Sequence, residues 1–157
     1  MALSCDIRIC SENGIFCQPE VSLGINPVFG GTQRLSRIIG IGMAKQLIYT
    51  AQNIKAEEVL NIRLVNAIFQ KNELINEAKK LALIIVINGR NAIKNSKRAI
   101  NEGINVDIDK GIQIEEELFK NCFETSEQIE RIKNFLEKGK KSEKKSRKKF
   151  KLKNRRK

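Results

Sequence analysis

Between residues 18 and 31 the chain carries both of its prolines, Pro19 and Pro27, and three glycines, Gly24, Gly30 and Gly31. A regular helix or strand does not run through such spacing, because proline removes a backbone donor and glycine weakens either ladder. The stretch therefore divides the chain. Before it lie two short extended runs. Residues 5–10 alternate apolar and polar side chains, and Ile15-Phe16-Cys17 follows the turn Ser11-Glu12-Asn13-Gly14. After it the apolar spacing is helical nearly to the end. This pattern predicts a little strand, much helix and a sheet too small to stand alone. A long shaped loop on a scaffold is also where chemistry tends to sit.

The helical faces can be assigned one by one. Leu35, Ile38 and Ile39 share a face, and Gly40 and Gly42 are expected to break that helix. Met43, Ala44, Leu47 and Ile48 make the next face, and Ala56, Val59 and Leu60 another. Leu64 to Phe69 has the composition of a strand. Asn72 is expected to cap a helix with Leu74, Ala78, Leu81, Ala82 and Ile85 inward, ended by Asn88-Gly89. Ala92, Ile93, Ala99 and Ile100 mark a further helix before Gly103. Asp109 is the expected cap of the next, which runs through Phe119 and Phe123. Thr125-Ser126-Glu127-Gln128 has capping-box spacing ahead of Ile129, Ile132 and Phe135.

Charge is segregated. Thirteen of the 30 Lys and Arg residues, and one of the 18 acids, fall within residues 138–157. Residues 1–137 hold 17 of each sign, so a neutral body carries a basic tail. A body built to bind nucleic acid would be expected to be basic as well; no specific nucleic-acid partner is expected. The tail reads as a disordered solvated arm, as a polyanion-binding arm, or as a shifted reading frame through A-rich DNA.

The chain has no histidine, which removes Ser-His-Asp triads, Cys-His nucleophile pairs and Cys/His zinc sites. Cys5, Cys10, Cys17 and Cys122 lack the paired spacing of a metal site or a disulfide framework, so free thiols in a reducing cytoplasm and no metal are expected. Met1-Ala2-Leu3-Ser4 lacks the features of a signal peptide. The longest apolar run, residues 81–87, is far short of the roughly 20 residues that span a bilayer, so no membrane partner is expected.

A colinear set of motifs goes further. Cys5-Asp6-Ile7-Arg8-Ile9 is followed by Phe16-Cys17-Gln18-Pro19-Glu20-Val21, Leu23-Gly24-Ile25 and Gly30-Gly31-Thr32-Gln33-Arg34-Leu35. Next come Ile39-Gly40, Ala44-Lys45, Leu64-Val65-Asn66, Ser96-Lys97-x-Ala99-Ile100, Phe123-x-Thr125 and Phe135-Leu136-Glu137-Lys138. The succession resembles the C-terminal part of enoyl-CoA hydratases of the crotonase superfamily, most nearly the bacterial short-chain group. It implies an α/β crotonase-like fold present in part. Residues 1–50 would be the end of the spiral ββα core with the Gln-Pro-Glu loop, residues 51–137 a helical oligomerisation region, and residues 138–157 the basic tail.

The resemblance also implies a chemistry: syn addition of water to short-chain 2-enoyl-CoA thioesters, with no cofactor, since coenzyme A is part of the substrate. Two glutamates hold the water, and two backbone N–H groups stabilise the developing enolate oxygen. Glu20, after Gln18-Pro19, matches the glutamate that exchanges a proton with the α-carbon. Val28 stands where a glycine commonly lends its N–H to the water. Met1-Ala2 aligns with the Leu-Ala of the family's Gly-Gly-Gly-x-Glu-Leu-Ala. The first glutamate and the oxyanion glycine thus fall before Met1, and the chain by itself is expected to be inactive.

Three glycines of the pattern are replaced, by Cys17, Val28 and Arg63, where a backbone angle or close approach would favour glycine. The family forms trimers and hexamers, so a homo-oligomer is implied. The competing expectation is a non-catalytic interaction remnant of a split or frameshifted gene.

Overall fold

The computed structural model describes residues 2–123 and 125–137. The expected disordered tail of residues 138–157 lies outside the described residues. Two compact units are present, one within residues 1–83 and the other from residue 84 onward.

The first unit is built on two small sheets. Strand β1, Ile9–Ser11, pairs in parallel with β4, Ala67–Phe69, in the register Cys10 to Ile68. Strand β2, Ile15–Phe16, pairs antiparallel with β3, Ile54–Lys55. Both strands at 5–10 and 64–69 are shorter than their composition predicts, because Arg8 reorganises their starts. Its backbone N–H donates to Asn66 Oδ1 at 2.8 Å, and its side chain donates to Leu64 O at 2.6 Å and Cys5 O at 2.7 Å. Side-chain groups thus take up backbone donors and acceptors there, beside the one backbone bond from Asn66 N to Arg8 O at 2.6 Å, and the chain bends instead of extending.

Helices α1, Gly31–Ile39, and α2, Ile41–Thr50, meet at Gly40, whose φ of 84° only glycine adopts cheaply. Gly42 lies inside α2 and breaks nothing. Helix α3, Ala56–Asn61, starts with the Glu58 carboxylate accepting from the Lys55 N–H at 3.1 Å. Leu35, Ala44, Leu47, Ile48, Ile54, Ala56, Val59, Leu64 and Val65 close one core around Cys10. Burial pushes the Cys10 thiol up. Leu60, expected inward, is exposed. The short α3 turns only Ala56 and Val59 to the core. Arg63 then adopts φ 61° and turns the chain so that Leu64 and Val65 re-enter it.

Helix α4, Leu74–Val86, begins two residues after Asn72, so Asn72 is not its cap. Leu74, Ala78, Leu81 and Ile85 form its half-buried stripe, while Ala82 is exposed.

The second unit contains α5, Arg90–Gly103, α6, Ile108–Lys120, and a last helix, α7, over residues 126–137. The cap of α6 is Asp107, whose side chain accepts from Lys110 N at 2.9 Å, not Asp109. Asp109 is already helical, two residues past the cap position and within the first turn. Thr125 caps α7 as expected, its Oγ1 accepting from Gln128 N at 3.3 Å. Helices α5 and α6 pack together, with Asn95 donating to Leu118 O at 3.0 Å. Of the residues expected to face inward on α5, Ile93 and Ala99 are half-buried, whereas Ala92 and Ile100 are exposed.

Candidate functional site

The Pro/Gly stretch is ordered by backbone turns. Glu20 opens a 3-10 turn, Glu20–Leu23, with Pro19 before it. Ser22 closes that turn twice on Pro19 O, through its N–H at 3.0 Å and its hydroxyl at 2.7 Å. Gly24, at φ 74°, reverses the chain, and Ile25 N donates back to Glu20 O at 3.3 Å. The half-buried Glu20 carboxylate has one specific donor. Oriented by hydrogen bonding, the Gln18 amide gives its N–H groups to both Glu20 oxygens, at 3.2 and 3.1 Å.

Gln18 is itself confined. A Cβ on Gly31 would stand 3.0 Å from Pro27 Cβ and 3.4 Å from the Gln18 amide, so glycine at 31 lets the loop close on that amide. The Gln18 side chain also lines a mainly apolar cavity of about 200 Å³ shared with Leu3, Arg8, Phe16, Cys17 and Leu64. The Cys17 thiol is occupied elsewhere, donating to Ala51 O at 3.2 Å.

Val28 occupies the second turn of the loop. Its carbonyl accepts from Gly31 N at 3.1 Å, while no group among the described residues accepts from its own N–H. A strained φ at Val28, the outcome feared for a β-branched residue replacing glycine, is not found. The left-handed angles fall one and two residues later, at Phe29 (53°) and Gly30 (78°). Of the three replaced glycines, only Arg63 takes an angle that favours glycine. The site thus offers a carboxylate held by an amide, and a backbone N–H with no acceptor among the described residues.

The enoyl-CoA hydratase/isomerase family model matches residues 1–145. The chain belongs to this family. It is 56% identical to a short-chain-enoyl-CoA hydratase of Clostridium acetobutylicum over 89% of its own length and 54% of the relative's. A crotonyl-CoA hydratase of Syntrophomonas wolfei matches at 51%, again over 89% of this chain and 54% of the other. A short-chain-enoyl-CoA hydratase of Clostridioides difficile is 50% identical, with 86% of this chain and 87% of that one covered. The chain spans about half the length of the first two of these relatives.

Among solved structures, the enoyl-CoA hydratase of Bacillus anthracis superposes with a TM-score of 0.85 at 39% identity, over 87% of this chain and 53% of that one. The fold is therefore an α/β crotonase-like fold in part, mostly helical. The hydratase-family Gln-Pro-Glu loop is read directly as Gln18-Pro19-Glu20. Gln18's grip on Glu20 and the left-handed pair Phe29-Gly30 carry no such one-residue signature, since both depend on where Gly31 folds back.

Proposed function

We propose that this chain supplies the α-carbon acid/base of an enoyl-CoA hydratase, a hydro-lyase adding water syn across short-chain 2-enoyl-CoA thioesters. The observation that carries this is the Glu20 carboxylate, aligned by Gln18 on a turn whose loop also leaves the Val28 N–H free. Glu20 exchanges a proton with the α-carbon, and the Val28 N–H donates to the attacking water. The family's first glutamate belongs to its Gly-Gly-Gly-x-Glu segment, one oxyanion donor lies a few residues before that glutamate and the other far upstream, and residues 1–157 contain no such segment. Fixed donors lower the barrier because the enolate charge develops where they already point. The acyl-CoA substrate follows from the family, and the short-chain preference from the names of the Clostridium acetobutylicum and Clostridioides difficile relatives.

The test is a chimera joining the N-terminal part of the Clostridium acetobutylicum relative to residues 2–137. It should hydrate crotonyl-CoA, followed by loss of enoyl-thioester absorbance. Glu20→Gln should leave CoA-ester binding intact and cut turnover by about 10² to 10⁴, the usual range for a positioned acid or base. An active chimera in which Glu20→Gln costs less than about threefold overturns the assignment.

A homo-oligomer, trimer or hexamer, is part of the same proposal. It is supported by apolar side chains left in solvent on α5 and α6, such as Ile100 at 66% and Phe119 at 61% exposure. Sedimentation of the full chain across a concentration series tests it, and a monomer throughout would refute self-association of this chain.

A further inference from the structure

We infer that Arg34 is a positioning residue for the Val28 N–H, acting through the left-handed turn at Phe29-Gly30. The inference rests on the hydratase proposal above. Arg34 lies in the first turn of α1, where a cation opposes the partial positive charge of the free helix N–H groups. No acidic residue occupies that turn to compensate. The guanidinium does not extend away from it. It folds back so that Nη1 donates to Phe29 O at 2.5 Å, and the Arg34 N–H donates to Gly30 O at 2.8 Å. One residue thus binds the carbonyls of both left-handed residues.

The packing agrees. A Cβ on Gly30 would stand 2.5 Å from Arg34 Nη1 and 3.0 Å from its Cζ, so the side chain occupies the space above that glycine. Phe29 is 92% exposed, and its ring has little protein to hold it. A bulky residue at φ 53° with an unsupported ring relaxes unless something else fixes its backbone. The Arg34 bond to Phe29 O supplies that hold. With Gly31 N on Val28 O, it closes the turn downstream of Val28 and leaves the Val28 N–H pointing from a fixed frame.

The experiment has two arms. In the full 157-residue chain, the strong intraresidue HN–Hα NOE that marks a positive φ is followed at Phe29. Arg34→Ala should weaken it, and Arg34→Lys should preserve it in part. In the hydratase chimera, Arg34→Ala should lower kcat by about tenfold to a hundredfold, the scale of a misplaced group, with KM within threefold. Added guanidinium ion should restore part of the rate. In a Phe29→Gly background, where the left-handed angle carries no side-chain strain, Arg34→Ala should cost several-fold less. An unchanged Phe29 signal in Arg34→Ala overturns the role of Arg34. A relaxed Phe29 with unchanged kcat overturns the water-binding role of Val28 and leaves the hold on the turn standing.

Discussion

In the first unit Leu35, Ala44, Val59 and Val65 are at most 3% exposed, whereas from residue 84 to 137 only Leu118, at 5%, is buried among the described residues. The two regions draw on similar apolar residues. They differ in how many layers face each side chain. Around Cys10 two sheets and three helices converge, so a side chain leaving one element enters another. Helices α5, α6 and α7 instead enclose an open apolar groove of about 520 Å³, lined by Ala99, Leu118, Phe119, Phe123 and Ile132. The candidate site belongs to the unit that holds the closed core.

The sharpest way to break this contrast is a pair of truncations. Leu35→Ala, at 2% exposure, should destabilise the chain by about 2–5 kcal/mol in chemical denaturation. Phe119→Ala should cost only about 1 kcal/mol, most of it the edge-on contact with Phe123 at a ring separation of 4.9 Å. Equal costs would mean the second unit has a core of its own.

Next in size is the cap of α6. Asp107→Ala should cost about 1 kcal/mol, with Asp109→Ala well below it, both read from urea midpoints. Reversed magnitudes would return the cap to Asp109.

Arg63→Gly tests the first unit's tight turn. A side chain at φ 61° is strained, and the exposed Arg63 has no hydrogen-bonding partner for its side chain among the described residues to compensate. Thermal unfolding should show a gain of about 0.5 kcal/mol, the strain relieved less the flexibility glycine adds to the unfolded chain.

The smallest effect is a pH dependence in the second unit. Glu127 Oε1 accepts from Arg90 N at 3.2 Å and from Arg131 Nε at 3.1 Å, and Arg131 Nη1 donates to Ile87 O at 3.0 Å. Desolvation pushes the Glu127 carboxyl up, but the Arg131 guanidinium and the backbone N–H groups of Arg90 and Asn91 outweigh it and hold it below its usual value of 4.5. The unfolded chain therefore binds the proton first, so this stabilisation is full above that value and is lost as pH falls through the lower folded value. The protection of the α7 amides, corrected for their slower intrinsic exchange in acid, should fall below about pH 4.5, and Glu127→Gln should remove that dependence. An α7 that opens identically in the variant would show that other carboxylates carry the transition.

Much of the architecture was legible in the residue pattern, because helix periodicity, prolines and glycines act over a few neighbours. Leu35, Ala44, Leu47, Ile48 and Val59 were found from spacing alone, as were the Thr125 cap and the hinge at Gly40. Glu20 was legible as the candidate acid/base through the Gln18-Pro19-Glu20 motif. The misplaced features have different causes. The shortened strands depend on Arg8 meeting Leu64 and Asn66 far along the chain, whereas the exposed Leu60 follows from a short α3 and the unstrained Val28 from turn bonds within a few residues.

By itself, then, the sequence determined the family, Glu20 as the candidate acid/base, and the faces of the helices that close the first core. Tertiary structure decided what those residues meet. Arg8 reaching Leu64 and Asn66 truncates two strands, and Gly31 folding onto Gln18 aims the carboxylate. The left-handed angles lie at Phe29 and Gly30 and not at Val28, with Gly31 N on Val28 O and Arg34 on Phe29 O. The physical reason is range. A propensity acts over a few neighbours, whereas a hydrogen bond across more than fifty residues exists only once the chain has closed on itself.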